Sequence, residues 1–313
     1  MSFLDRFVLS GRLRWGANLP TLLFIVGLLG FIGCASASQA RDMFQRSWPV
    51  MGTYAELQID HDSSSLVRTS ESRVRDVFNR VNRVMSTYSP QSDLMAVNRT
   101  GTKRWVTVDP WLVDILKKGK RFARVTGGAF SLDVLGYGVK RGVKPGDPTY
   151  QLPPAGDTFI QVDPSSSRVR LHRQGMGLDL GAIAKGYALD RAVQALEKLG
   201  VNRFFLSLGR GIYAGTSPRG HSGWPVRIQG DTKIRKLQQV FLSVSEQGIQ
   251  SDTGHIIDPR DGQPIEGAGR VAVFASRGWL ADAASTAIFV EPSIRTKLLR
   301  RFSSLRRVSV FRP

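Results

Sequence analysis

The sequence predicts a mixed α/β (α+β) protein with largely antiparallel sheets and packed helices, on three observations. Apolar residues recur at helical spacing in separate stretches, short β-rich runs follow one another in the second half, and no long linker divides them. Short turns between successive strands favour antiparallel pairing, because parallel neighbours need a long crossover. With 42% hydrophobic and 22% charged residues in 313, the chain has the composition of a folded globular protein.

The elements follow in order. Val74, Val77, Phe78, Val81, Val84 and Met85 recur at three and four, giving one apolar helical face that ends before Tyr88-Ser89-Pro90. A second helix is expected from Asp109, with Pro110 in the favoured first position and Gly127-Gly128 beyond its end. A third runs from about Gly181 to Leu199 and is closed by Gly200. Strands are expected at Phe204 to Leu208, Val226 to Ile228, Val240 to Val244, His255 to Ile257, Val271 to Phe274 and Val308 to Phe311. The stretch from Lys140 to Pro154, rich in Gly and Pro, reads as an exposed excursion.

The first 34 residues read as a leader, residues 35 to 44 as a short linker and residues 45 to 313 as the folded domain. Arg6, Arg12 and Arg14 precede an apolar run from Leu19 to Ile32, short for a membrane span and sized for a signal-peptide core. Export is the expectation. The run ends in Phe31-Ile32-Gly33-Cys34, which resembles a bacterial lipobox, and Cys34 is the only cysteine, so no disulfide within the chain is possible. Lipidation at Cys34 would tether the protein to the periplasmic face of a membrane. Cleavage at Ala35-Ser36-Ala37 or Ser38-Gln39-Ala40 would instead release a soluble periplasmic protein, and an uncleaved leader would act as an anchor.

A net charge of +19, spread along the chain, attracts phosphates, anionic surfaces or acidic partners without choosing among them. Nucleic acid is not the expected partner, because no helix-turn-helix, zinc-finger or RNP pattern is present.

Three segments carry chemistry. In Leu178-Asp179-Leu180-Gly181-Ala182-Ile183-Ala184-Lys185-Gly186-Tyr187, small residues lead into a helix start, where unpaired N–H groups and the dipole suit an anion. A tight turn whose Gly181 serves geometry alone is the alternative. In Leu280-Ala281-Asp282-Ala283-Ala284-Ser285-Thr286-Ala287, Asp282 and Thr286 stand four apart on one helical face. Their oxygens suit Mg²⁺, which takes few protein ligands; the alternative is a dipole-compensating Asp and a packed Thr. In His255-Ile256-Ile257-Asp258-Pro259, a His stands where a neutral imidazole could take a proton, although a lone His is more often structural.

Read together, these blocks carry a resemblance. Met51-Gly52-Thr53, Met85-Ser86-Thr87-Tyr88-Ser89-Pro90 with Asp93, Leu94 and Asn98, Thr126-Gly127-Gly128-Ala129-Phe130, the Asp179 to Tyr187 segment, His255 to Pro264, and Ala281 to Phe289 stand in the order that marks the ApbE family of FAD:protein FMN transferases. The similarity covers about residues 45 to 290. It implies an ApbE-like, T-fold-related architecture, FAD and Mg²⁺ as ligands, and transfer of FMN to a Ser or Thr of a target protein with release of AMP. By position it implies that Met51, Tyr88, Ala129, Phe130, Asp179, Lys185 and Ile257 line the FAD site. It likewise implies that Ala182 (through its carbonyl), Asp282 and Thr286 hold the metal, and that His255 is the base. Membrane redox subunits are the kind of acceptor the family implies.

The chain also departs from the pattern. Ser207-Leu208-Gly209-Arg210-Gly211 stands where the family reads Asn-Leu-Gly-Gly-Asp, Glu246-Gln247-Gly248 stands for Thr-Ser-Gly, and Ser131 replaces an acidic residue. These changes leave two alternatives open: an FAD pyrophosphatase, or a non-catalytic FAD-binding lipoprotein.

Overall fold

Two residues suffice to turn the chain at its first hairpin. Val50 pairs with Thr53, and Met51 and Gly52 between them both take positive φ, the conformation that matches the twist of the flanking strands. The computed structural model describes residues 43–311 except 148, 152–158, 229–230, 232, 248–255 and 268. The leader, Cys34 and His255 lie outside the described residues.

In order, the elements are β1 (Phe44–Val50), β2 (Thr53–Ile59), α1 (Ser64–Met85), α2 (Asp93–Thr100), β3 (Val106–Thr107), α3 (Pro110–Thr126), α4 (Leu135–Lys140), β4 (Ile160–Asp163), β5 (Arg168–Leu171) and α5 (Ala184–Lys198). They continue with β6 (Phe204–Leu208), β7 (Gly211–Ala214), β8 (Trp224–Arg227), β9 (Ile234–Leu237), β10 (Val240–Gln247), β11 (Gly269–Ala275), α6 (Gly278–Val290), α7 (Arg295–Arg301) and β12 (Leu305–Phe311). Seven strands form one sheet in the order β1-β2-β6-β7-β10-β11-β12, and every pairing in it is antiparallel. Two smaller antiparallel sheets, β3-β5-β4 and β8-β9, complete the strands. The expected fold class is therefore the one observed.

Alternation along the strands sets the layers. Leu57, Leu206 and Leu208 join Val74, Phe78 and Val81 of α1 and Leu189, Val193 and Ile288 of α5 and α6 in the main core. The opposite face, through Phe205, Ile212, Leu242 and Phe274, packs against Trp224, Val226 and Leu237 of β8-β9.

Local chemistry accounts for the helix ends. Asp109 caps α3 by accepting from Trp111 N–H, Pro110 occupies the first turn, and Gly127 ends the helix in the left-handed conformation, all as the sequence predicts. The third helix starts three residues later than expected: Gly181 to Ile183 form a turn, and α5 begins at Ala184. The expected strand at His255 to Ile257 is corrected as well. Among its described residues, Ile256 and Ile257, only an isolated bridge from Ile257 to Pro264 is present, and beyond it Gly262 N–H folds back to the Asp258 carbonyl (2.7 Å) in a tight turn. The Lys140 to Pro154 stretch is not simply exposed, since Tyr150 is buried and Lys144 turns inward.

Candidate functional site

Where α5 and α6 meet, neither tolerates a side chain. A Cβ on Gly186 would stand 2.2 Å from the Gly278 carbonyl oxygen, and one on Gly278 would stand 2.4 Å from that of Gly186. This closeness lets each helix cap the other. Asp282 of α6 accepts from Gly186 N–H in the first turn of α5 (2.9 Å), and Asp190 of α5 accepts from Gly278 and Trp279 N–H at the start of α6 (both 2.8 Å). Neither helix has a side-chain cap of its own at that end, so the exchanged carboxylates satisfy donors that would otherwise be orphaned. Burial pushes the Asp190 carboxyl up to about 6 despite those two N–H bonds.

Asp282 sits at the floor of a cleft of about 1090 Å³, above the roughly 300–1,000 Å³ of a typical small-molecule pocket. Its second oxygen accepts from the Ser243 hydroxyl (3.0 Å). Ser245, two residues on along β10 and so on the same face, meets Ser285 (2.8 Å) and Thr286 (3.1 Å). One carboxylate at 7% exposure thus accepts from a hydroxyl of β10, beside a cluster of three more hydroxyls.

Opposite stands a charged wall. The Asp179 carboxylate accepts from Gly181 N–H (2.7 Å) and pairs with Lys144 (2.9 Å), whose ammonium lies 4.8 Å from the centre of the Tyr88 ring. Burial works against that ammonium, yet Asp179 and Tyr88 outweigh it and hold the lysine above its ordinary value. Lys185 donates to the Gly181 carbonyl (3.0 Å), leaving its charge over the turn that precedes α5.

Met51, Tyr88, Ala129, Phe130, Asp179, Lys185 and Ile257 all line this cleft, and so do Ala182, Asp282 and Thr286. The structure therefore gathers every described candidate around one space. Cys34 and His255 are the two outside the description. Sequence reasoning missed Lys144, Ser243 and Ser245. The two serines did leave a signal, as polar residues two apart around Val244 in a strand that opens Val240-Phe241-Leu242, whereas nothing local paired Lys144 with Asp179.

The departures noted in the sequence also converge. Arg210 and Glu246 both line the cleft and approach to 3.7 Å, and Glu246 is held more closely by Arg270 (3.0 Å). The altered hairpin tip and the altered strand end thus form one charged cluster rather than two unrelated losses. Gln247 turns away from it, its amide oxygen accepting from Ile256 N–H (3.3 Å).

The donor set suits a hard cation. Asp282 keeps lone pairs beyond its two hydrogen bonds, and the Thr286 hydroxyl and Ala182 carbonyl offer further oxygen. Among the described residues no group of three His, Cys, Asp or Glu gathers, so an ion here would draw its remaining ligands from a phosphate or water.

The ApbE family model matches residues 51–306. The chain belongs to the ApbE family. Among curated ApbE relatives, the FAD:protein FMN transferase of Treponema pallidum is 28% identical over 323 residues, covering 91% of this chain and 88% of its own length. The enzyme of that name from Escherichia coli K12 is 24% identical, covering 88% of each. Solved ApbE folds agree: the flavin transferase ApbE of Vibrio cholerae superposes with a TM-score of 0.70 at 20% identity, covering 86% of this chain and 97% of that one. The Thermotoga maritima ApbE protein gives 0.70 at 23%, covering 87% and 97%.

Proposed function

We propose that this ApbE member transfers the FMN half of FAD to a Ser or Thr hydroxyl of a target protein, releasing AMP, with Mg²⁺ as the metal. The observation that carries the reading is the convergence of Asp282, Thr286 and Ala182 on the same cleft as Asp179, Lys185 and Tyr88. The curated relatives' activity supports it.

The acceptor oxygen attacks the phosphorus on the FMN side of the diphosphate, the bond from that phosphorus to the bridging oxygen breaks, and AMP departs with it. Mg²⁺ would neutralise charge on the diphosphate as that bond breaks. Asp282, Thr286 and the Ala182 carbonyl would hold it, with Gly186 N–H and Ser243 keeping the Asp282 carboxylate oriented. Lys185 adds positive charge on the diphosphate side, and Tyr88, 63% exposed, offers its ring at the mouth for an aromatic group. A hydroxyl is a weak nucleophile until its proton is removed, and His255 is assigned that step on its position in the sequence.

Incubation with FAD, Mg²⁺ and a candidate acceptor should leave flavin fluorescence on the denatured acceptor band, and Asp282→Ala should lower labelling at least about a hundredfold. AMP released without labelling would point to a pyrophosphatase, unchanged FAD to a binding protein, and full activity of Asp282→Ala would remove the metal assignment. The binding-protein reading draws on the Arg210–Glu246 cluster at positions where the family pattern differs.

The reading extends to export and lipidation at Cys34, placing the cleft on the periplasmic side beside a membrane redox subunit as acceptor. Palmitate labelling that survives Cys34→Ala would count against the lipoprotein form.

A further inference from the structure

After Glu291 the remaining 22 residues contain seven basic side chains and no acidic one. The structure concentrates six of these. In α7, Leu298 is fully buried, whereas Arg295, Lys297, Arg300 and Arg301 are exposed. In β12 a bulge adds two more. Phe274 pairs with Arg307 and Ala275 with Leu305, so Arg306 is skipped, and two successive arginines are exposed where a regular strand would send one of them to the other face. Arg306 donates to the Gln239 carbonyl (3.2 Å), and none of the six has a carboxylate within ion-pair distance among the described residues. Elsewhere in the fold Arg75, Arg80, Arg173, Arg191, Arg219 and Arg260 do have such a partner.

We infer that α7 and the β12 bulge form an electrostatic docking face for an anionic lipid surface. Three features favour lipid over other polyanions. A protein interface typically has an apolar core inside a polar rim, yet none of the exposed large hydrophobics, Met43, Tyr54, Tyr88, Val143 and Ile234, belongs to this segment. A single-stranded nucleic acid would need stacking rings, and the one aromatic of α7 and its cap, Phe302, packs on Phe122 instead. The apolar run from Leu19 to Ile32 supplies the third: it precedes β1 by so few residues that a leader held at a membrane would keep the fold within about 40 Å of it. β1 and β12 are the two edges of a seven-stranded sheet about 30 Å across. A tether at one edge and a basic face at the other would together fix how the molecule lies on the surface.

The test is flotation of the full chain with neutral phosphatidylcholine vesicles and with vesicles containing phosphatidylglycerol. The leader contributes to both, so the readout is the ratio between the two lipids and its dependence on salt. Each basic side chain near the surface contributes about fivefold, so Lys297→Glu with Arg300→Glu and Arg301→Glu, which reverse three charges, should lower the ratio by at least roughly a hundredfold. A variant with the same charge change at exposed positions outside this segment, Arg68→Glu with Arg73→Glu and Lys103→Glu, should lower it far less. Thermal midpoints close to the parent's confirm folding in both. Equal losses in the two variants would make the effect one of net charge and overturn the proposal. An unchanged ratio in the first variant would do the same, as would stronger binding of duplex DNA or an acidic polypeptide than of the anionic vesicles through the same three residues.

Discussion

Arg210 shows how one residue can change a cleft without endangering the fold. It occupies the tip of the two-residue turn between β6 and β7, where Leu208 pairs with Gly211, and its guanidinium reaches Glu246 only at 3.7 Å with 47% of the side chain exposed. A pair so long and so wet contributes little to stability. Arg210→Ala should therefore shift unfolding by less than about 0.5 kcal/mol, while weakening FAD binding about threefold at low ionic strength, because a cation is removed from the wall of the cleft proposed to hold the diphosphate. Titrating FAD at low and high salt checks this: a loss that persists undiminished in salt would mean that Arg210 shapes the cleft rather than charging it. At this scale the sequence was informative wherever an argument was local. Asp282 and Thr286 fall on one helical face by counting, and Met51, Ala129 and Asp179 sit in recognisable blocks. Lys144 was not legible, because its pairing with Asp179 spans 35 residues of chain and depends on how the intervening loop folds back. Ser243 and Ser245 acquire meaning only once β10 lies beneath α6.

The exchange of carboxylates between α5 and α6 ties two elements into one unit. Each helix lacks a cap of its own, and each receives one from the other across the Gly186–Gly278 contact. The sequence read Gly181 to Ile183 as helix because small residues and Lys185 continue the pattern. The structure starts α5 at Ala184, with the Asp282 carboxylate meeting Gly186 N–H in its first turn. A partner ninety-six residues away is invisible to a local pattern. Asp190 carries a testable consequence. Its folded value of about 6 lies above the ordinary 3.8, so between these two pH values the folded state holds a proton that the unfolded chain has released. The stability this provides is complete below about pH 4 and is lost as pH rises through 6. Relative to Asp190→Asn, which cannot titrate, the parent protein should lose about 2 to 3 kcal/mol between pH 4 and pH 7. Urea unfolding of both proteins across that range measures the difference. A difference that stays flat with pH would mean that the two N–H bonds fully offset burial.

At the scale of the molecule, the cleft is built from residues as far apart as Met51 and Val290, and the main core runs from Trp48 to Val308. The sequence anticipated the antiparallel class and several strands in their places, Phe204 to Leu208 among them. It did not show β1, since only Trp48 of its seven residues is buried and the edge strand carries no alternation; its position comes from seven register pairs with β2. A site assembled from so much of the chain couples ligand binding to the whole fold. Saturating FAD with Mg²⁺, at about a hundred times its dissociation constant, should add about 2.7 kcal/mol and raise one cooperative thermal transition by about 5 °C. Chelation should shrink that rise, because the buried Asp282 carboxylate then faces the diphosphate without a cation between them. In Asp282→Asn that repulsion is gone, so the rise with FAD should become insensitive to chelator. Scanning calorimetry of both proteins, with FAD and with or without chelator, distinguishes the cases. Two transitions of which only one moves with ligand would show that the segments around the cleft unfold separately. A rise in the parent protein indifferent to chelator would place the diphosphate away from Asp282.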